Sequence, residues 1–208
     1  MTLEEYILQH SGKEPDYLAE LNRETHLRTI NPRMCSGYLQ GRVLSMLCKM
    51  IRPVNVLELG TFTGYSALCI AESLPENGML DTIESDDELE DFILQNFDKS
   101  PYKNNINLIM GNAIDIIPGL DKTYDLVFID ADKREYSDYY KLVFPKLRQG
   151  GFILADNTLW AGKVVENVKN NDKQTIEIKR FNELLSKDER VEQVILPLRD
   201  GLTLIRKK

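Results

Sequence analysis

Asp130 closes the apolar run Phe128-Ile129-Asp130-Ala131-Asp132-Lys133, and Asp156 and Asn157 close a second, Leu154-Ala155-Asp156-Asn157-Thr158-Leu159-Trp160. Two carboxylates and an amide oxygen, with no histidine or cysteine nearby, match a hard cation such as Mg²⁺; Mn²⁺ and Ca²⁺ are the other choices. Such an ion keeps coordination positions for substrate oxygens. Lys133 lies three residues past Asp130, close enough to share the site. Beside a dication an ammonium is disfavoured, so a neutral Lys133 amine can serve as a base. Trp160 follows the second ligand pair and can wall a pocket against a flat substrate. The plain alternatives are aspartates that cap the following helices, an ordinary Asp-Asn turn and a solvated lysine.

A different chemistry is written in Glu58-Leu59-Gly60-Thr61-Phe62-Thr63-Gly64-Tyr65-Ser66, where an apolar strand meets a glycine turn and then a helix. Glycines let a ligand approach the backbone, and the unpaired N–H groups of the helix face whatever fills the turn. The dinucleotide fingerprint is absent, because Phe62 stands at its middle glycine. Glu58 suits a ligand that carries an amine or sulfonium cation. Glu84 ends the next strand about 20 residues past the turn, where a carboxylate reaches ribose hydroxyls. A tight strand-to-helix connection with a surface glutamate is the plain alternative.

For these groups to meet, their strands must share one sheet edge. Helices are expected over 3–10, opened by a Thr2/Glu5 capping box, and over 16–29. Leu39, Val43, Leu47 and Ile51, with Met46 and Met50, give a helical stripe across 35–51. Strands and helices then alternate: strand 54–59, helix 65–74, strand 79–84, helix 86–97, strand 106–110, helix 113–119. Strand 124–130, helix 135–147 and strand 151–156 follow, then helix 172–186 and a hairpin of 191–196 with 202–206. Continuously apolar strands point to a parallel sheet covered on both faces. The alternation predicts a doubly wound α/β fold, mostly parallel, with an antiparallel C-terminal hairpin.

At 208 residues the chain suits one domain, in which 1–51 cover the site and 52–208 form the core. No run of about 18 apolar residues implies a membrane helix, and the first residues lack the blocks of a signal peptide. Three cysteines, Cys35, Cys48 and Cys69, read as free thiols of a cytoplasmic protein. No Cys/His spacing suggests zinc. A net charge of −7 argues against a nucleic-acid footprint. The basic groups Arg23, Arg28, Arg33 and Arg42, and Lys169, Lys173, Lys179 and Arg180, read as scattered solvated charge.

Taken together these residues resemble the class I S-adenosylmethionine-dependent methyltransferases, of the metal-dependent catechol and caffeoyl-CoA O-methyltransferase type, bacterial members above all. The resemblance runs from about Asn31 onward. It is carried by Glu58 to Leu68, Gly111-Asn112-Ala113, Asp130-Ala131-Asp132-Lys133, Asp156 to Gly162 and Leu196-Pro197-Leu198-Arg199-Asp200-Gly201-Leu202. It implies a Rossmann-like sheet. It implies that Glu58, Gly60, Thr61, Gly64, Tyr65 and Ser66 line the methionine end of S-adenosylmethionine. Glu84 would then hold the ribose, Asn112 and Ala113 border the adenine, and Asp130 and Asp132 lie against the cofactor. Met34 would approach the reacting methyl group. Asp130, Asp156 and Asn157 would bind the metal, Lys133 would deprotonate the acceptor hydroxyl, and Lys133 and Trp160 would touch the acceptor. The acceptor implied is a small vicinal diol of catechol or caffeoyl type, and the alternative is a hydroxylated uridine of tRNA. A non-catalytic scaffold has no use for Asp130, Lys133, Asp156 and Asn157 together. Relatives are commonly homodimers, with helix 172–186 the candidate contact.

Overall fold

Alternation along the central strands decides which helices cover which face. The protein is described by a computed structural model over residues 1–208, the side chain of Glu4 excepted. Strands β1 (Asn55–Leu59), β2 (Met79–Glu84), β3 (Ile106–Met110), β4 (Tyr124–Ile129), β5 (Leu147–Ala155), β6 (Val191–Leu196) and β7 (Leu202–Lys207) form one sheet in the order β3-β2-β1-β4-β5-β7-β6. The first five strands pair in parallel; β7 runs antiparallel to both β5 and β6. This is the doubly wound sheet with its terminal hairpin.

Successive strand residues point to opposite faces. Leu57 and Leu59 of β1, with Val127 and Ile129 of β4, join one core, together with residues of α6 (Ala113–Ile116), α7 (Tyr136–Val143) and α8 (Lys173–Ser186). Val56, Leu126 and Phe128 join the other, which α2 (Asp16–Arg28), α3 (Gly37–Ile51), α4 (Tyr65–Ala71) and α5 (Glu90–Asp98) complete. A strand buried on both sides has no polar face, hence the unbroken apolar runs. The N-terminal α1 (Leu3–Gln9) opens on the Thr2/Glu5 capping box, with both reciprocal bonds formed.

Several elements are shorter than the hydrophobic pattern. α6 and α7 stop at Ile116 and Val143, and 3-10 turns Ile117–Gly119 and Phe144–Lys146 take over. Pro118 and Pro145 sit in those turns, where a proline cannot donate the next helical bond. α4 ends at Ala71, ahead of Pro75. The helix expected from 86 begins instead as a 3-10 turn over Asp87–Leu89, which Asp86 caps through a bond from the Glu88 N–H at 3.1 Å. β5 starts at Leu147, four residues early, because the polar stretch before Phe152 continues the strand past a register shift against β4.

The stripe on α3 also differs. Its buried residues are Gln40, Gly41, Leu44, Ser45 and Cys48, while Leu39, Val43, Leu47 and Ile51 lie half-buried on its flank. Met46 and Met50 are exposed. Gln40 and Ser45 are admitted to the core face because they have partners there: Gln40 donates to Asp156, and Ser45 to Glu72.

The strand order reverses between β1 and β4, and the two strands are in register there, with Leu59 opposite Ile129. Gly60 follows at φ +95°, and a Cβ on it would sit 2.6 Å from the Asp130 carbonyl oxygen. Only glycine satisfies both the backbone angle and the contact. Gly60→Ala therefore combines a left-handed backbone with an overpacked contact and should cost about 2–5 kcal/mol. The check is the urea midpoint; an unchanged value would mean that the turn relaxes freely.

Candidate active site

The ladder continues one residue beyond each central strand. The N–H groups of Gly60, Gly111, Asp130 and Asp156 donate to the carbonyls of Ile83, Glu84, Leu59 and Ile129 at 3.0, 2.7, 2.9 and 3.0 Å. These bonds align the strand-end residues at the carboxyl edge of the sheet, where open α/β sheets bind ligands. A cavity of about 930 Å³ runs along that edge, a size within the usual range for a small-molecule site.

On the β1–β2–β3 side its wall carries Gly60, Thr61, Tyr65, Ser66, Glu84, Asn112 and Ala113. On the β4–β5 side it carries Asp130, Asp132, Lys133, Asp156, Asn157 and Trp160. Met34 reaches it from the segment before α3. The two groups of motif residues thus share one cavity.

Glu58 and Gly64 stand behind the wall. Glu58 is fully buried; its Oε2 accepts from the Thr82 hydroxyl at 2.6 Å, and its Oε1 has no hydrogen-bond partner among the described residues. Burial pushes its carboxyl up to about 8. Gly64 faces the ring of Phe97 and starts α4. Glu84 braces the first turn: its Oε2 accepts from the Phe62 N–H at 2.7 Å, and its Oε1 from those of Ser85 and Asp86 at 2.8 and 2.9 Å. Phe62 itself is held in the left-handed region, at φ 50°, a strain that recurs at functional sites. Asn112 caps α6 through its Oδ1, which accepts from the Ile114 N–H at 2.9 Å.

On the other side Lys133 Nζ lies 2.7 Å from Asp130 Oδ1, with both side chains largely buried, and 5.1 Å from the centre of the Tyr136 ring. Burial raises the Asp130 carboxyl to about 6; Lys133 opposes that shift, and the like charge of Asp156 adds to it. Asp156 accepts through Oδ1 from the Asn157 N–H at 2.8 Å and through Oδ2 from Gln40 Nε2 at 2.7 Å. Asn157 and Trp160 sit in left-handed turns at φ 57° and 48°. Asp132 is turned partly to Arg134, whose Nε and Nη2 bond its carboxylate; these bonds hold its carboxyl below the usual range.

Among the described residues no three His, Cys, Asp or Glu side chains group as a metal site. The donor set at this edge is two carboxylates and an amide oxygen, all hard, with like charges placed near one another, and it suits a hard divalent ion. Several residues carry no site role in the sequence reading. The strap Ile30–Ser36, in which only Met34 is assigned one, lines the cavity, as do Gln174 and Tyr139. Arg199 also reaches it, from the hairpin turn. Gln40 was hidden in an apolar-looking helix, although a polar residue at four-residue spacing from Leu44 and Cys48 is itself a signal.

The chain matches the family described as O-methyltransferase over residues 8–208. It is 32% identical to a caffeoyl-CoA O-methyltransferase of Stellaria longipes over 220 aligned positions, which cover 99% of this chain and 90% of that one. Caffeoyl-CoA O-methyltransferase 5 of Nicotiana tabacum is 34% identical, with the same two shares. Among solved structures, the O-methyltransferase TomG of Streptomyces achromogenes, in complex with SAM, superposes with a TM-score of 0.92 at 26% identity, over 100% of both chains. An O-methyltransferase of Bacillus cereus in complex with SAH also gives 0.92, at 25% identity, over 99% of this chain and 97% of its own.

The buried Glu58 carboxyl supplies a test of the site's electrostatics. Its folded value of about 8 lies above the unfolded value, so the wild type loses stability as pH rises from the ordinary carboxylate range towards 8. Glu58→Gln removes that titration. In the ligand-free protein the melting-temperature advantage of Glu58→Gln over wild type should be small at about pH 5 and grow by about pH 8. An equal difference at both would show that Glu58 is not buried as an acid.

Proposed function

The chain belongs to the S-adenosylmethionine-dependent O-methyltransferases of the caffeoyl-CoA type, and from that premise we propose that it methylates one hydroxyl of a small vicinal diol with the help of a divalent cation. The observation that carries this reading is the convergence of Asp130, Asp156, Asn157 and Lys133 in one cavity with the glycine turn. Asp130, Asp156 and Asn157 would hold the cation, Mg²⁺ or a similar hard ion. When bound, it supplies positive charge that stabilises an oxyanion. S-adenosylmethionine supplies an electrophilic methyl group on a sulfonium.

The protein's own part is positioning and proton handling. Glu84 would accept from the ribose hydroxyls, Asn112 and Ala113 would border the base, and Gly60, Thr61, Tyr65 and Ser66 would enclose the amino-acid end. Asp132 extends this wall, and Glu58 and Gly64 support it from behind. Met34 would approach the methyl group, and Trp160 would offer a face to the flat acceptor. With a dication on Asp130 the Lys133 ammonium would be disfavoured, and its neutral amine, 2.7 Å from Asp130 Oδ1, would take the hydroxyl proton on Nζ. Holding oxygen and methyl at attack distance then supplies most of the rate. The fully matched plant relatives act on caffeoyl-CoA by name, which supports a vicinal-diol acceptor; no observation favours tRNA. The reading takes residues 1–208 as one catalytic domain with 1–51 as its cover, and the chain as a cytoplasmic homodimer with α8 as the candidate contact.

The test is transfer of labelled methyl from S-adenosylmethionine to a panel of catechols, with Mg²⁺ or with a chelator. Turnover that the chelator abolishes is the expected result. Turnover indifferent to chelation would overturn the metal, and none on any vicinal diol would overturn the acceptor class. Lys133→Ala should lower kcat by about 10²–10⁴-fold, the usual worth of a general base, with S-adenosylhomocysteine affinity retained in titration calorimetry. An undiminished kcat would remove Lys133 from the proton transfer.

A further inference from the structure

Both oxygens of Asp156 are held. Oδ1 accepts from the next backbone N–H, that of Asn157, but Oδ2 accepts from Gln40 Nε2, 116 residues earlier in the chain. Gln40 is 1% exposed. Its Oε1 accepts in turn from Arg199 Nη1 at 3.2 Å, and the same nitrogen donates to the carbonyls of Cys35, at 3.2 Å, and Ser36. A guanidinium can only donate. Arg199 therefore turns the amide oxygen of Gln40 towards itself, which leaves the amide NH₂ for Asp156. The turn that carries Arg199 is anchored as well. Leu159 N–H donates to the Asp200 carbonyl at 2.9 Å, Thr158 N–H to that of Gly201 at 3.1 Å, and Ala161 N–H to the Asp200 side chain.

We infer that Gln40 and Arg199 are positioning residues for the cation site: the relay Arg199–Gln40–Asp156 fixes the rotation of the Asp156 carboxylate and ties it to the strap over the cavity. The inference rests on the proposed role of Asp156 as a metal ligand. Ligating carboxylates are themselves oriented by hydrogen bonds, and loss of such a partner typically weakens metal binding about 10–100-fold. Gln40 leaves one lone-pair direction of Oδ2 occupied and the others open, so it orients the oxygen without consuming it. A purely structural role for Gln40, as a satisfied polar group on a buried helix face, would lower stability and leave the metal affinity of the folded protein unchanged.

Mn²⁺ is the probe, its free concentration read by electron paramagnetic resonance on the whole chain, without acceptor or S-adenosylmethionine. Gln40→Met keeps the length and removes both bonds. It should weaken Mn²⁺ binding about 10–100-fold while S-adenosylhomocysteine still binds with wild-type affinity. Arg199→Ala should weaken Mn²⁺ less, Arg199→Lys should recover part of that loss, and the double variant Gln40→Met/Arg199→Ala should be no weaker than Gln40→Met alone, because the two act in series. If Gln40→Met does not fold, the Arg199 pair carries the test from its exposed hairpin turn. Wild-type Mn²⁺ affinity in a folded Gln40→Met, or in Arg199→Ala, overturns the relay and leaves the metal site standing. Absence of Mn²⁺ binding by the wild type, or unchanged binding by Asp156→Ala, overturns the metal site and the relay with it.

Discussion

The approach of the Gly60 backbone to the Asp130 carbonyl is the constraint on which the site depends. It occurs where the strand order reverses, so that the chain leaves β1 towards one face and β4 towards the other. A side chain at residue 60 would push these two exits apart. With glycine there, the turn 60–66 and the loop 130–135 wall a single cavity. The ladder bonds that continue past the strands hold the ends of β1 to β5 in line at that edge.

The same edge keeps acids out of water. Glu58 is fully buried and Asp130 nearly so, and burial pushes both carboxyls well above their ordinary range. Lys133 offsets part of the cost at Asp130. Acids perturbed by burial and by a like charge beside a cavity are a mark of functional sites. A cationic ligand and a divalent cation, as proposed for this site, would offset the clustered carboxylates.

The cavity is not finished by the sheet. Its lining is completed by the strap Ile30–Ser36 ahead of α3 and by the segment around Trp160. Both are bonded to the turn of the terminal hairpin, through Arg199 and Asp200 respectively. The hairpin β6–β7 therefore does more than close the sheet edge: its turn links the strap before α3 to the loop after β5, and both line the cavity.

The motifs at 58–66, 111–113, 130–133 and 156–160 were legible because each combines a local backbone demand with a chemical one. A glycine turn after an apolar run, or an acid closing such a run, carries its meaning within ten residues. Strand positions were legible for a related reason, since burial on both faces leaves an unbroken apolar signature. Helix ends at Pro118 and Pro145 were overrun because the hydrophobic pattern continues into the 3-10 turns, where the same side chains still pack. The buried face of α3 lies one position round from its apolar stripe, because Gln40 and Ser45 become core residues once Asp156 and Glu72 are there to satisfy them. Local pattern sufficed for the order of elements, the sheet type and the kinds of chemical group at each strand end. Long-range packing alone places Glu58 behind the cavity wall and the 30–36 strap along the cavity, and brings Gln40 to Asp156 and Arg199 to Gln40. Those outcomes depend on contacts between residues far apart in the chain, and a hydrogen bond across 116 residues leaves no local pattern to read.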